Sequence, residues 1–112
     1  MNPNKQYNPL TEATFFILVS LITPLHGYGI IKKTAELSNN RVKLAPGTLY
    51  GALNSLIEKK YIKIVENNIP SKKKEYIITE LGLSSLKNEI QRLHDLCKIG
   101  DNILKGEVLW EK

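Results

Sequence analysis

A chain of 112 residues, 42% hydrophobic and 24% charged, is long enough for one domain with a modest core and has an ordinary globular composition. The single cysteine, Cys97, excludes an intramolecular disulfide or a cysteine-based metal cluster, and the longest apolar run, Ala13 to Ile22, is too short to span a bilayer. The net charge of +5 is uneven: residues 1–78 carry +6 and residues 79–112 carry −1, which suits a polyanion partner for the first part and a protein partner for the second.

Asn8-Pro9 is expected to open the first helix, with Asn8 as N-cap and Pro9 at the first helical position. Leu10, Ala13, Phe16, Ile17 and Leu21 recur at helical spacing. Phe15, Leu18, Val19 and Ile22 widen that stripe almost all the way round, so this helix must be buried on most sides. Pro24 is expected to stop it. His26-Gly27-Tyr28-Gly29 reads as a turn into a second helix with Ile31, Ala35 and Ser38 inward, Lys32, Lys33 and Glu36 outward, and Asn39-Asn40 at its end. Val42-Lys43-Leu44 reads as a short strand.

The third helix starts at Pro46 and buries Leu49, Ala52, Leu53, Leu56 and Ile57. Its other side carries Thr48, Tyr50, Gly51, Asn54 and Ser55, with no carboxylate before Glu58. The period then changes from 3.6 to 2. Residues 61–66 and 75–78 read as two strands of a β-hairpin whose loop ends in Lys72-Lys73-Lys74. Thr79 is expected to cap a long fourth helix.

Three short helices, a basic hairpin and a long last helix imply a mainly α fold with a small β-hairpin. The order fits a winged helix-turn-helix followed by a C-terminal dimerisation helix, divided as residues 1–78 and 79–112. A recognition helix needs side chains that reach base edges and no negative charge toward phosphates. Thr48, Tyr50 and Asn54 meet that need, and Pro46-Gly47-Thr48 offers a helix start suited to a phosphate. Lys72, Lys73 and Lys74 would lie along a groove as phosphate contacts. Tyr28 and Tyr50 each carry a phenol that could bond a phosphate oxygen or pack with a wet tip. Double-stranded DNA is therefore the expected partner.

Three motifs in order, His26-Gly27-Tyr28-Gly29-Ile30, Pro46-Gly47-Thr48-Leu49-Tyr50 with Leu53 and Leu56, and Tyr76-Ile77-Ile78-Thr79-Glu80-Leu81-Gly82, resemble the PadR family of bacterial transcriptional regulators. The resemblance covers roughly residues 8–105, and the P-G-T-L-Y run is its specific part. It implies a winged helix-turn-helix dimer that represses by occupying operators and is often released by small aromatic or hydrophobic compounds. It also implies that Tyr50 and the start of its helix lie at the DNA backbone. Two departures stand out. The family's arginine-rich wing is here lysine, with Glu75 in place of the first of two following tyrosines, and Gly51-Ala52 stand where arginines often follow Tyr50. Both imply modest DNA affinity.

Leu83, Leu86, Ile90, Leu93, Cys97, Gly100 and Leu104 are spaced 3, 4, 3, 4, 3, 4, a heptad seam that a second copy of the chain would bury. The same phase favours a helix continuous through Gly100. A homodimer would set two recognition helices about 34 Å apart and so match an inverted repeat. The middle of the helix, Ile90 to His94, has no aromatic for stacking a planar drug, so a small-molecule effector stays unidentified.

No catalysis, metal or cofactor is expected. His26 and His94 are the only histidines and neither has a metal-ligand spacing, Glu58, Glu66 and Glu75 form no acid/base pair, and there is no phosphate-binding glycine loop. The polar first residues lack the apolar core of a secretion signal, so a cytoplasmic location is expected. The competing reading is a winged-helix protein-interaction module with little or no DNA binding. Glu75 favours it and the lysine wing opposes it.

Overall fold

The computed structural model describes residues 9–66 and 73–110, with side chains as far as Gly106. Its elements are α1 (Glu12–Ser20), β1 (Leu25–His26), α2 (Gly27–Leu37), α3 (Pro46–Glu58), β2 (Ile62–Val65), β3 (Glu75–Ile78) and α4 (Glu80–Trp110). The fold is mainly helical with a small antiparallel sheet, as the sequence pattern predicts. Helix α4 runs unbroken through Gly100.

Helix α1 is shorter at both ends than expected. Thr11, in extended conformation, caps it: its Oγ1 accepts the Thr14 N–H at 3.1 Å, and Glu12 sits in the positive first turn. Asn8, the expected cap, lies outside the described residues. The Leu10 N–H points away from the helix and donates to Glu89 Oε2 at 3.3 Å. At the other end the helix stops at Ser20, short of Pro24. The Leu21 carbonyl then accepts the Ile78 N–H at 2.9 Å, which ties the helix end to the sheet.

The sheet has the order β1-β3-β2. Ile62 pairs with Ile78 and Ile64 with Tyr76, while Leu25 and His26 pair with Tyr76 and Glu75 on the other side of β3. Sequence reading missed β1, because two residues between Pro24 and Gly27 carry no alternation to read. Conversely, the strand expected at Val42-Lys43-Leu44 is irregular. Strand β1 already occupies the β3 edge, the Val42 N–H donates to Ser38 Oγ at 2.9 Å, and Leu44 turns into the core.

Helices α2 and α3 end alike. Asn39 (φ 58°) and Lys60 (φ 65°) take left-handed conformations. The Asn40 N–H reaches back to the Ala35 carbonyl at 2.7 Å and the Tyr61 N–H to the Leu56 carbonyl at 2.9 Å, so each closing turn satisfies carbonyls that would otherwise be orphaned. Asparagine tolerates this conformation; lysine adopts it at a cost.

One core unites these parts. Ile17 and Leu18 from α1 and Leu21 just past its end meet Ile30 from α2, Leu49, Leu53 and Leu56 from α3, Ile62 and Tyr76 from the sheet, and Leu86 from α4. Thr79 caps α4 as expected, its Oγ1 accepting the Gly82 N–H at 3.0 Å and donating to the Lys60 carbonyl at 2.7 Å. A Cβ on Gly82 would collide with the Tyr61 carbonyl oxygen and sit 2.9 Å from Ile78 Cγ1, so only glycine lets α4 seat here. Further along, Glu89 is nearly buried. Its carboxylate accepts Arg92 Nη2 at 2.7 Å and Nε at 2.8 Å as well as the Leu10 N–H.

Two stability measurements follow. Lys60→Gly relieves the left-handed lysine and should raise unfolding free energy in a urea titration by about 1 kcal/mol. For Glu89, the Arg92 hydrogen bonds hold the carboxyl below its ordinary value, against the opposing effect of burial. A value lower in the folded than in the unfolded chain contributes stability above the unfolded value, and this is lost as pH falls through the folded one. The acid side of a stability-against-pH curve should therefore be shallower in Glu89→Gln than in the unaltered chain.

Candidate nucleic-acid interface

Helix α3 turns Leu49, Leu53 and Leu56 into the core, which leaves Pro46, Gly47, Thr48, Tyr50, Gly51, Asn54 and Ser55 exposed on its outer side. Ala45 precedes the helix in extended conformation and offers no side-chain cap. Pro46 has no N–H, so the Gly47 and Thr48 N–H groups stand at the positive end of the helix without a capping acceptor. A Cβ on Gly47 or Gly51 would meet nothing within 4 Å. The outer side of α3 is thus smooth and uncharged as well as exposed.

Beside α3 opens a groove lined by His26, Gly27, Tyr28, Tyr50, Asn54, Lys73, Lys74 and Tyr76. It gathers Tyr28, Tyr50, Asn54, Lys73 and Lys74 from the residues singled out in the sequence. Pro46, Gly47 and Thr48 are not part of its lining and lie exposed at the start of α3. Lys72 lies outside the described residues. The aromatic wall depends on a glycine: a Cβ on Gly27 would collide with the Tyr50 hydroxyl and approach its Cζ to 3.0 Å. On the opposite wall, Lys73 Nζ stands 5.1 Å from the centroid of the Tyr28 ring.

Besides Gly27, two lining residues, His26 and Tyr76, escaped sequence reasoning. His26 is the N-cap of α2, its Nδ1 accepting the Gly29 N–H at 3.2 Å, which in the neutral ring leaves the proton on Nε2. Histidine is not a common cap, so no sequence signal marked it. Tyr76 is a core residue whose side chain also reaches the groove. Burial first, and the neighbouring Tyr50 phenol second, raise its pKa, so it remains a neutral hydroxyl. Strand alternation marks Tyr76 as inward and cannot reveal that one edge stays open.

Glu75, the carboxylate expected to oppose a polyanion, is half-buried and is not among the groove-lining residues. Among the described residues the ion pairs are Arg41 with Glu12 and Arg92 with Glu89, so Lys73 and Lys74 are not neutralised by either. No group of three or more His, Cys, Asp or Glu among the described residues could hold a metal. No described helix is long and apolar enough to cross a membrane.

Helices α2 and α3 in sequence, followed by a β2–β3 wing that β1 extends to three strands, define a winged helix-turn-helix domain. The description "Transcriptional regulator PadR-like family" matches residues 17–88. This chain belongs to the PadR-like family of transcriptional regulators. A PadR family transcription regulator from Clostridium difficile has a TM-score of 0.69 at 26% identity, over 84% of this chain and 99% of that one. A second, from Eggerthella lenta, has a TM-score of 0.66 at 26% identity, over 81% and 80%. An uncharacterized 37.1 kDa protein in transposon TN4556 of Streptomyces fradiae is 29% identical over 98 residues, or 87% of this chain. The chain spans only about a quarter of that curated relative's length, 26%.

The two glycines of this face should respond oppositely to alanine. Gly51→Ala fills open space and improves helix propensity, so the thermal midpoint should rise with a gain of about 0.5–1 kcal/mol. Gly27→Ala forces Tyr50 to move and should lower the midpoint.

Proposed function

We propose that this protein binds double-stranded DNA as a homodimer and represses transcription from an inverted-repeat operator. In this reading α3 enters the major groove, the wing lysines contact phosphates alongside, and residues 79–112 pair the two copies while residues 1–78 hold the DNA. The observation that carries it is the convergence of an exposed, carboxylate-free side of α3 with Tyr28, Tyr50, Lys73 and Lys74 on one groove. Such a surface offers hydrogen-bonding groups to bases and cations to the backbone. Asn54 is the residue suited to an adenine edge. Family membership supports a role in transcriptional regulation.

Pairing is supported by the outer part of α4. Every residue from Leu93 to Lys105 is exposed in the single chain. Leu93, Leu96, Ile99, Ile103 and Leu104 are between 39% and 64% exposed, an apolar stripe that an isolated helix would not hold out in water. Of the seam residues, Ile90, Leu93, Cys97 and Leu104 are free to meet a partner, Leu83 is half-buried, and Leu86 is 4% exposed in the protomer's own core. A lysine at Leu86 would therefore test folding rather than pairing.

Duplex affinity measured across salt concentrations tests the DNA reading. Affinity should fall steeply with salt, and Lys73→Ala with Lys74→Ala should flatten the log–log slope by about 0.9 for each phosphate no longer neutralised. No duplex binding even at low salt would leave the domain as a protein-interaction module. Light scattering tests the pairing: Leu93→Lys should halve the particle mass without unfolding the chain, and operator affinity should drop with it.

A further inference from the structure

We propose that Tyr28 is a positioning residue for the wing: its ring is a platform that holds the Lys73 ammonium at the mouth of the groove before any polyanion arrives. The inference rests on reading that groove as the duplex-binding face, and it gives Tyr28 a task different from touching DNA through its hydroxyl.

Three observations support it. Tyr28 is 71% exposed, the highest value among the large hydrophobic side chains of the described residues, and is not part of the core cluster, so packing does not explain an aromatic here. Its backbone is nonetheless firmly set, in the first turn of α2 between Gly27 and Gly29, where the His26 ring caps the helix through the Gly29 N–H. Lys73 Nζ lies 5.1 Å from the ring centroid, within the roughly 6 Å over which a cation is drawn to an aromatic face. Neither ion pair among the described residues involves Lys73.

The consequence is preorganisation. A lysine stem loses rotamer freedom when its ammonium is fixed on a phosphate, and that cost is subtracted from affinity. A ring that already restrains the stem reduces the cost. The ring covers one side of an exposed ammonium, so the remaining N–H groups can bond a phosphate oxygen while the Lys73 stem stays on the ring. The requirement is the π face and not the phenol oxygen, which separates this role from a direct hydrogen bond to the DNA backbone.

The test uses the full chain and three variants: Tyr28→Phe, Tyr28→Leu and Lys73→Gln. In carbon–proton spectra without DNA, the Lys73 ε-methylene, identified by its disappearance in Lys73→Gln, should be shifted upfield by the ring. The shift should persist in Tyr28→Phe and vanish in Tyr28→Leu. In anisotropy titrations of a duplex at low salt, Tyr28→Leu should weaken binding by about threefold, as an exposed cation–π interaction allows. Tyr28→Phe should bind like the unaltered chain, and Tyr28→Leu should cost nothing further in the Lys73→Gln background. The proposal is overturned if Tyr28→Phe loses as much affinity as Tyr28→Leu, if the two changes are additive, or if the ε-methylene shows no ring shift. A chain that shows the ring shift but binds no duplex would instead overturn the DNA reading and keep the Tyr28–Lys73 pair.

Discussion

The junction between the end of α3 and the start of α4 sets the geometry of the whole molecule. The Tyr61 N–H closes α3 on the Leu56 carbonyl, while the Tyr61 carbonyl accepts the Thr79 N–H at 2.9 Å. Thr79 Oγ1 binds the Lys60 carbonyl, and Gly82 presses on the Tyr61 carbonyl where any side chain would collide. A few backbone atoms thus lock three elements together: helix α3 that ends there, the hairpin that begins there, and the long helix that leaves. Because several hydrogen bonds and a close glycine contact converge on two neighbouring carbonyls, the arrangement has little freedom to drift. The direction in which α4 projects is therefore coupled to the direction in which α3 faces.

The groove shows how a small domain gathers one surface from residues distant in the chain. His26 and Tyr28 come from the start of α2, Tyr50 and Asn54 from α3, and Lys73, Lys74 and Tyr76 from the wing. The short β1 strand brings the first group to the last, since His26 pairs with Glu75 across the sheet. Aromatic rings then separate the positive charges from the core. Tyr76 is mostly buried beneath, Tyr50 fills the space left by Gly27, and Tyr28 stands outermost beneath Lys73.

Helix α4 has two distinct lengths of work. Its first turns are a core element: Gly82 and Leu86 pack into the domain, and Glu89 holds the Leu10 N–H and Arg92 together. Beyond Arg92 the same helix carries leucines and isoleucines into solvent. The change from core to exposed surroundings therefore falls within α4, near Arg92, and not at the junction of residues 78 and 79.

Much of this could be read in the linear chain. The apolar stripes of α3, the change to a two-residue period, the Thr79 cap and the sustained heptad phase through Gly100 are local patterns. Local physics governs them, because helix and strand periods follow from backbone geometry. The carboxylate-free side of α3 was legible for the same reason. What the tertiary structure alone decided involves atoms far apart in sequence. Strand β1 exists because Tyr76 and Glu75 are there to pair with it, Val42 to Leu44 is irregular with its Val42 N–H held by Ser38 Oγ and Leu44 in the core, and Leu86 is core because α4 returns to the other helices. The places of His26 and Tyr76 in the groove, and of Tyr28 beneath a wing lysine, were likewise settled only by folding, since spacing along a chain encodes direction from an axis but not which other element waits there.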